Sequence, residues 1–269
     1  RYRVTARRAP HARVPPIDQD PDLLQSFSSD AAHVPGGVAA GVVFPTDAGE
    51  VAAVIGSCAR VLPVGAQSSL TGGATPRGDV VISTRRLTDI GEFRGGTVRV
   101  GAGVPISALQ HALGARGLYY PPAPTFDGAF VGGTVATNAA GAATFKYGTT
   151  RHWVDALTVV LADGSILDLR RGEVRASAEG RFEIERITRE VTVVPVPAYE
   201  MPAVPKLSAG YYAASGMDLV DLFVGSEGTL GVIVDATLRV IPRPAFCIAL
   251  VECESELQAL EVTGALRNS

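Results

Sequence analysis

The chain has 269 residues, 46% apolar and 19% charged, enough to bury a substantial core beneath a polar surface. A net charge of −3, with no basic run interleaved with aromatics, excludes a nucleic-acid binder, and every apolar run is broken short of the roughly 18 residues of a membrane span. The three cysteines, Cys58, Cys247 and Cys253, form no CxxC pair, which argues against a disulfide framework or iron–sulfur site and for a reducing, cytoplasmic setting, with peripheral membrane attachment as a variant.

Residues 1–35 read as an N-terminal extension. Its first fourteen residues carry five arginines and no acid, without the apolar core of a signal peptide, and are expected to be a flexible basic tail. A strand is predicted at residues 41–44. A helix follows from Pro45-Thr46-Asp47, with Val51, Val54, Ile55 and Cys58 at helical spacing and Asp47 with Glu50 as a capping box. Strands at 62–64 and 80–83 enclose a Gly/Ser/Thr loop, which makes a βαβ unit with a polar loop at its exit. Residues 97–100 form a further strand. Pro105, in a first-turn position, then opens a helix with Ile106, Leu109 and Leu113 on one face and Gly117 as its stop.

Residues 118–150 have no long apolar period, and a segment of that length without one points to a binding surface. Strands at 156–161 and 165–169 flank Asp163-Gly164, read as a two-residue hairpin turn. Residues 172–205 are an excursion, the chain re-enters the core at Asp218, and 231–241 is a long final strand. From Phe246 a strand leads into a helix. Together these elements give an α+β fold.

Three glycine-rich segments carry the chemistry. Gly65-Ala66-Gln67-Ser68-Ser69-Leu70-Thr71-Gly72 offers successive backbone N–H groups with small side chains, the arrangement that wraps a pyrophosphate. The run from Gly132 and Gly133 to Gly141, preceded by Pro121 to Thr125, lets a flat ring or diphosphate approach the backbone, and its Thr and Asn can bond ring heteroatoms. The third, Gly225-Ser226-Glu227-Gly228-Thr229-Leu230-Gly231-Val232-Ile233, couples a turn to a strand.

In this order, and with Lys146-Tyr147-Gly148 and Ala162-Asp163-Gly164 between them, these segments resemble the FAD-binding domain of p-cresol methylhydroxylase type, found across the vanillyl-alcohol oxidase superfamily. The resemblance covers roughly residues 36–244. The third segment and Val204 to Tyr212 bring it nearest to the glycolate oxidase large subunit and D-lactate dehydrogenase branch. It implies a two-lobed FAD-binding domain over 36–244 and the start of a C-terminal substrate or cap domain over 245–269, where the chain stops.

By the same resemblance, Pro63, Val64, Gly65, Ala66, Gln67, Ser68 and Ser69 surround the FAD pyrophosphate. Pro124, Thr125, Phe126, Asp127, Gly128, Ala129 and Phe130 lie beside the flavin and ribityl chain. Thr137, Asn138, Ala139 and Ala140, with Gly132, Gly133 and Gly141 around them, lie on the diphosphate and flavin side. Glu227, Gly228, Thr229, Leu230, Gly231, Val232 and Ile233 lie near the adenine half. Gln67 stands where relatives have Gly, so its turn must accommodate a side chain. Some members attach FAD through a histidine of the first loop. None is present here, so the resemblance implies non-covalent FAD, with His111 and His152 read as a polar helix face and a turn.

The implied chemistry is oxidation of a small 2-hydroxy acid by hydride transfer to flavin, which needs a cation for the carboxylate and a base for the hydroxyl. Those groups come largely from the cap in the family. Lys206, Tyr211 and Tyr212, and Lys146 with Tyr147, are the candidates here; no metal is expected, and an electron acceptor or partner subunit is. The rival of a different class is a flavin-binding subunit that is not catalytic alone, and another alternative is a relative acting on a sugar-linked or alcohol substrate. A Rossmann site fails because Ile106 occupies the third glycine position after Gly101-Ala102-Gly103 and Pro105 intrudes. A hydrolase elbow fails because Gly225-Ser226-Glu227-Gly228 is one residue short, and no Walker Gly-Lys-Ser/Thr occurs.

Overall fold

The computed structural model describes residues 1–122, 124–204, 207–208, 210–245 and 247–267. In chain order its elements are β1 (Arg3–Thr5), α1 (Pro21–Ser26), β2 (Val38–Val43), α2 (Ala48–Ser57), β3 (Val61–Val64), β4 (Arg77–Ser83), β5 (Ile90–Arg94), β6 (Thr97–Gly101), α3 (Ile106–Gly114) and β7 (Leu118–Tyr119). There follow α4 (Val131–Ala136), α5 (Thr144–Tyr147), β8 (Val154–Val160), β9 (Ile166–Arg170), β10 (Arg181–Glu185), β11 (Val191–Pro195), α6 (Leu219–Phe223), β12 (Val232–Arg239), β13 (Ile241–Pro242) and α7 (Glu256–Arg267).

Two sheets frame the molecule, one parallel with order β2-β4-β3 and one antiparallel with order β5-β6-β12-β8-β9. β2 and β3 are joined by α2, yet β4 lies between them, so the predicted βαβ unit closes around a third strand. Val51 and Val54 of α2 are fully buried in a cluster with Val43, Ile82, Val160, Ile166 and Val232, which joins the two sheets. The larger core lies under the antiparallel sheet, where Ile106, Leu109 and Leu113 of α3 meet Val135, Leu157, Phe182 and Leu238. The apolar spacing read along α2 and α3 is therefore the packing spacing.

Local chemistry sets the element ends. Asp47 Oδ1 accepts from Glu50 N at 2.9 Å, but Glu50 turns to Thr46, accepting from its N at 2.7 Å and its hydroxyl at 2.9 Å, so the reciprocal half of the expected capping box goes to Thr46. Pro105 is the N-cap of α3 and has no side-chain donor or acceptor to offer. The first N–H groups are satisfied instead by a distant loop, Ile106 N donating to Ala129 O and Ser107 N to Asp127 O. The β8–β9 hairpin is closed by a three-residue loop, Ala162 to Gly164, with Leu161 N bonded to Ser165 O, so the predicted two-residue turn is corrected by one residue.

The expected flexible tail is an ordered strand. β1 pairs in parallel with β10, Arg7 exchanges both backbone hydrogen bonds with Ile166, and Asp18 exchanges both with Val42. Three of its five arginines meet acids distant in sequence: Arg1 pairs with Glu173, Arg3 with Glu183 and Arg7 with Asp168. Val4 and Ala6 are buried beneath. The excursion at 172–205 is likewise structured, since β10 and β11 form a hairpin that receives β1.

The strand expected from Phe246 is not formed. Phe246 lies outside the described residues, while residues 247–252 have no regular structure and expose Ile248 and Leu250. α7 has no buried residue. Among the described residues, no helix is long and apolar enough to cross a membrane.

Placing a neutral polar group at the buried Val4 position, Val4→Asn, is expected to destabilise the protein by about 1–3 kcal/mol in urea denaturation, because an unpaired amide then faces the core. The Arg7 hydrogen bond holds the Asp168 carboxyl below its ordinary range. Its contribution is therefore present above the unfolded-state value and lost as pH falls through the lower folded one. Both side chains are about half exposed, so acid titration of Asp168→Asn against the wild type should differ by less than about 1 kcal/mol.

Candidate functional site

A cavity of about 380 Å³ lies at the C-terminal ends of the parallel strands β3 and β4. This is where open parallel sheets expose loop backbone to ligands, and the volume is that of a ligand pocket. Its wall draws on three stretches distant in sequence: 63–70, 124–140 and 227–233.

The first wall is Pro63 to Leu70, continuing to Gly73 and Ala74. Among the hydrogen bonds of the described residues, none is donated by the backbone N–H groups of Gly65 to Leu70. These donors sit in a half-buried loop with no partner from the protein, which is the orphan set that an anion's oxygens satisfy. No Lys or Arg lines the cavity, and Glu227 is its only charged residue among those described. An anion held here is therefore held by backbone dipoles.

Pro124, Thr125, Phe126, Ala129 and Phe130 form the second wall, fixed from behind because residues 127 and 129 cap α3. α4 follows directly, presenting Gly132, Gly133, Thr134 and Ala136, and beyond its end Thr137, Ala139 and Ala140. The third wall docks on carbonyls at the end of α4: Gly225 N donates at 3.0 Å to Val135 O, which Asn138 N also approaches at 3.1 Å, and Glu227 N donates to Ala136 O at 2.9 Å. Gly228 has φ 79°, and a Cβ there would lie 2.8 Å from Pro63 Cγ, so the third wall touches the first only because that side chain is missing. Across the mouth, Thr71 Oγ1 lies 3.4 Å from Glu227 Oε2 and 2.9 Å from Ser69 Oγ.

Several predicted residues stand behind the wall. Asn138 is buried with φ 46°. Its amide is spent within the protein, Nδ2 donating to Leu207 O at 3.1 Å and Oδ1 accepting from Arg151 N at 2.9 Å, so it presents no group to a ring heteroatom. Gly128 lies under the Phe126 ring. Gly141 N donates to Thr144 Oγ1, Thr229 Oγ1 donates to Ser226 O, and Leu230 packs on the main core. Asp127 is exposed and contributes its carbonyl to α3.

Among the described residues, none of the catalytic candidates lines the cavity. Lys206 lies outside the described residues. The Tyr211 hydroxyl is 2.5 Å from Thr229 Oγ1, and Tyr212 lies against the Arg151 guanidinium, 4.5 Å from Cζ to ring centroid. Lys146 lies over the Tyr147 ring. His111 is exposed on α3, and His152 lines a smaller cavity of about 130 Å³ with Arg151 and Tyr212. Missed by the sequence reading were Leu70, Gly73, Ala74, Thr84, Thr134 and Ala136 as wall residues. Thr84 follows the end of a parallel strand, a signal that was available.

Behind the site, Asp221 is shared by two guanidiniums. Arg171 bonds both carboxylate oxygens at 3.0 Å, while Arg151 bonds the Asp221 carbonyl and donates to Val224 O at 2.7 Å. Burial lowers the Arg151 pKa, opposed by the Asp221 carboxylate. This hub ties the residues after α5 to the helix that leads into the third wall.

Residues 39–170, just under half of the chain, match the model of the FAD binding domain family. The relatives the chain matches include a D-lactate dehydrogenase of Anaerostipes hadrus, 34% identical over 86% of this chain and 42% of that protein. A D-2-hydroxyglutarate dehydrogenase of Xanthomonas citri pv. viticola is 32% identical over 84% and 42%, and the glycolate oxidase subunit GlcD of Bacillus subtilis is 30% identical over 76% and 37%. The chain thus spans about two fifths of the length of these relatives. Among solved structures, an alkyldihydroxyacetonephosphate synthase shares the fold, with a TM-score of 0.56 and 21% identity over 77% of this chain and 32% of that one.

Removing the shared acid with Asp221→Ala leaves two guanidiniums, one of them buried, without their carboxylate. The expected loss is about 3–5 kcal/mol in chemical denaturation, whereas Glu92→Ala, an exposed pair with Arg94, should cost under about 1 kcal/mol.

Proposed function

We propose that the cavity binds FAD non-covalently and that the whole protein is an FAD-linked oxidoreductase oxidising a small 2-hydroxy acid of the glycolate or D-lactate type. One observation carries this reading: three glycine-rich segments, separated by most of the chain, converge on one cavity whose first wall offers a run of unpaired backbone N–H groups. On this reading Pro63 to Ser69 hold the pyrophosphate. Pro124 to Phe130 flank the flavin and ribityl chain, Thr137 to Ala140 lie on the diphosphate and flavin side, and Glu227 to Ile233 lie by the adenine half. Asp127, Gly128, Asn138, Gly141, Thr229 and Leu230 support the wall from behind.

Non-covalent attachment is supported by the wall's composition, since no His, Cys or Tyr lines the cavity among the described residues. When bound, the flavin supplies the hydride-accepting ring. The chain's own residues bind it, orient it and, with Phe126 and Phe130, shield one side from water. We read 36–244 as the FAD-binding domain, 1–35 as an extension folded onto it, and 245–269 as the start of a cap. The length of the relatives supports placing the carboxylate-binding cation and the base in that cap. A cytoplasmic setting fits the free cysteines. The exposed Ile248, Leu250, Leu257 and Leu260 favour a second reading, in which the chain works as a flavin-binding subunit covered by a partner.

The test is a visible absorbance spectrum of the purified chain after incubation with FAD, followed by acid precipitation. Flavin bands that leave the protein with acid are expected, and Gly228→Val, which drives a side chain into Pro63, should abolish them while far-UV circular dichroism is retained. A colourless protein that takes up no FAD would sink the reading. Bleaching of the loaded flavin by D-lactate, glycolate or D-2-hydroxyglutarate identifies the substrate, and bleaching only after a partner is added selects the subunit reading.

A further inference from the structure

The first wall is built from residues too small to hold their own shape, and its outer side is fastened to a turn that precedes β2. Gln67 adopts φ 55°, a left-handed conformation that disfavours a side chain. Its side-chain Nε2 is engaged on the side away from the cavity, donating to Ser26 O at 2.8 Å and to Ser29 O at 2.9 Å, while its backbone carbonyl accepts from Ala31 N at 2.9 Å. The other end of the wall is tied to the same turn. Asp30, 3% exposed, accepts from Ala74 N at 3.2 Å through Oδ2 and from Ala32 N at 3.0 Å through Oδ1.

The turn itself is anchored. Phe27 is 1% exposed in a cluster with Val42, Val64 and Val81, edge-on to Phe44, and the Arg85 guanidinium lies over both rings. A Cβ at Gly37 would fall 1.7 Å from Ser28 O, so the chain entering β2 is pressed against the turn.

We infer that Gln67 is a positioning residue for the cofactor, and that residues Ser26 to Ala32 form a brace, tied through Gln67 and Asp30, that holds the pyrophosphate loop in its binding shape without touching FAD. This rests on the reading that the cavity binds FAD. Glycine at position 67 would adopt the same φ with no strain, but would release the brace. The amide therefore does what backbone freedom alone does not, converting a permissive turn into a fixed one and sparing the ligand the cost of ordering it.

The test separates the two roles of position 67. FAD affinity is measured by fluorescence titration of the wild type, Gln67→Gly, Gln67→Ala and Asp30→Asn, and amide hydrogen exchange is followed without FAD at residues 26–32 and 65–74. Losing two hydrogen bonds of roughly 1 kcal/mol each predicts FAD affinity weakened by about tenfold or more in Gln67→Gly, with faster exchange in both segments. Gln67→Ala, which adds the left-handed strain, should weaken it further, and Asp30→Asn should speed exchange at Ala74 most. If Gln67→Ala fails to fold, Gln67→Gly carries the test, since its backbone is unstrained. Gln67→Gly binding FAD within about twofold of a wild type that does bind it, with unchanged exchange, overturns the brace and leaves the reading of the cavity intact. A wild type that takes up no FAD fails the reading of the cavity, and the brace's role in cofactor binding falls with it.

Discussion

A cavity walled by glycine, alanine, serine and threonine brings backbone close to a ligand, but it has few side chains long enough to fix its own loops. Every wall must therefore be held from the side facing away from the cavity. The second wall is held because its carbonyls cap α3, which has a proline and no side-chain cap at its start. The third is held by carbonyls at the end of α4. In both cases the unsatisfied ends of a helix, a liability elsewhere, become the anchors of a loop. The short helices here act less as packing elements than as sources of directed hydrogen-bonding groups.

The charged residues follow the same division. Among the described residues none but Glu227 faces the cavity, while a carboxylate and two guanidiniums are partly buried behind it at Asp221, Arg151 and Arg171. Such a cluster contributes little net stability compared with well-packed apolar groups, but its geometry is directional. It fixes the approach of α6, and so the turn after it, to within hydrogen-bond tolerances. Strong fields are kept out of the site, and strong constraints are kept in the scaffold.

The order of elements and the apolar faces of α2 and α3 were legible in the sequence because periodicity records burial directly. The three segments of the wall were legible only together, because their order resembles that of an FAD-binding domain; each alone reads equally as an ordinary turn or loop. Long-range partners were not legible. Nothing local to Arg3 or Arg7 announces Glu183 or Asp168, so the basic N-terminal stretch read as a solvated tail when it is a paired strand. Asn138 looked like a ligand-binding amide because its neighbours line the cavity. Its left-handed backbone, invisible in sequence, turns the side chain into the protein. Gln67 read as an irregularity where glycine is usual, and its compensation lies some forty residues away.

The parallel pairing of β1 with β10 also bears on how the molecule is made. Residues 3–7 are fixed by contacts to residues 166 and 183–185, and through β10 to β11 at 191–195. On a ribosome, residues 3–7 must wait until β10 has been synthesised before they can find their place. Contacts of such wide separation are slow to form. The segment that stitches β2, β9 and β10 together is thus expected to lock into place only after the β10–β11 hairpin has formed.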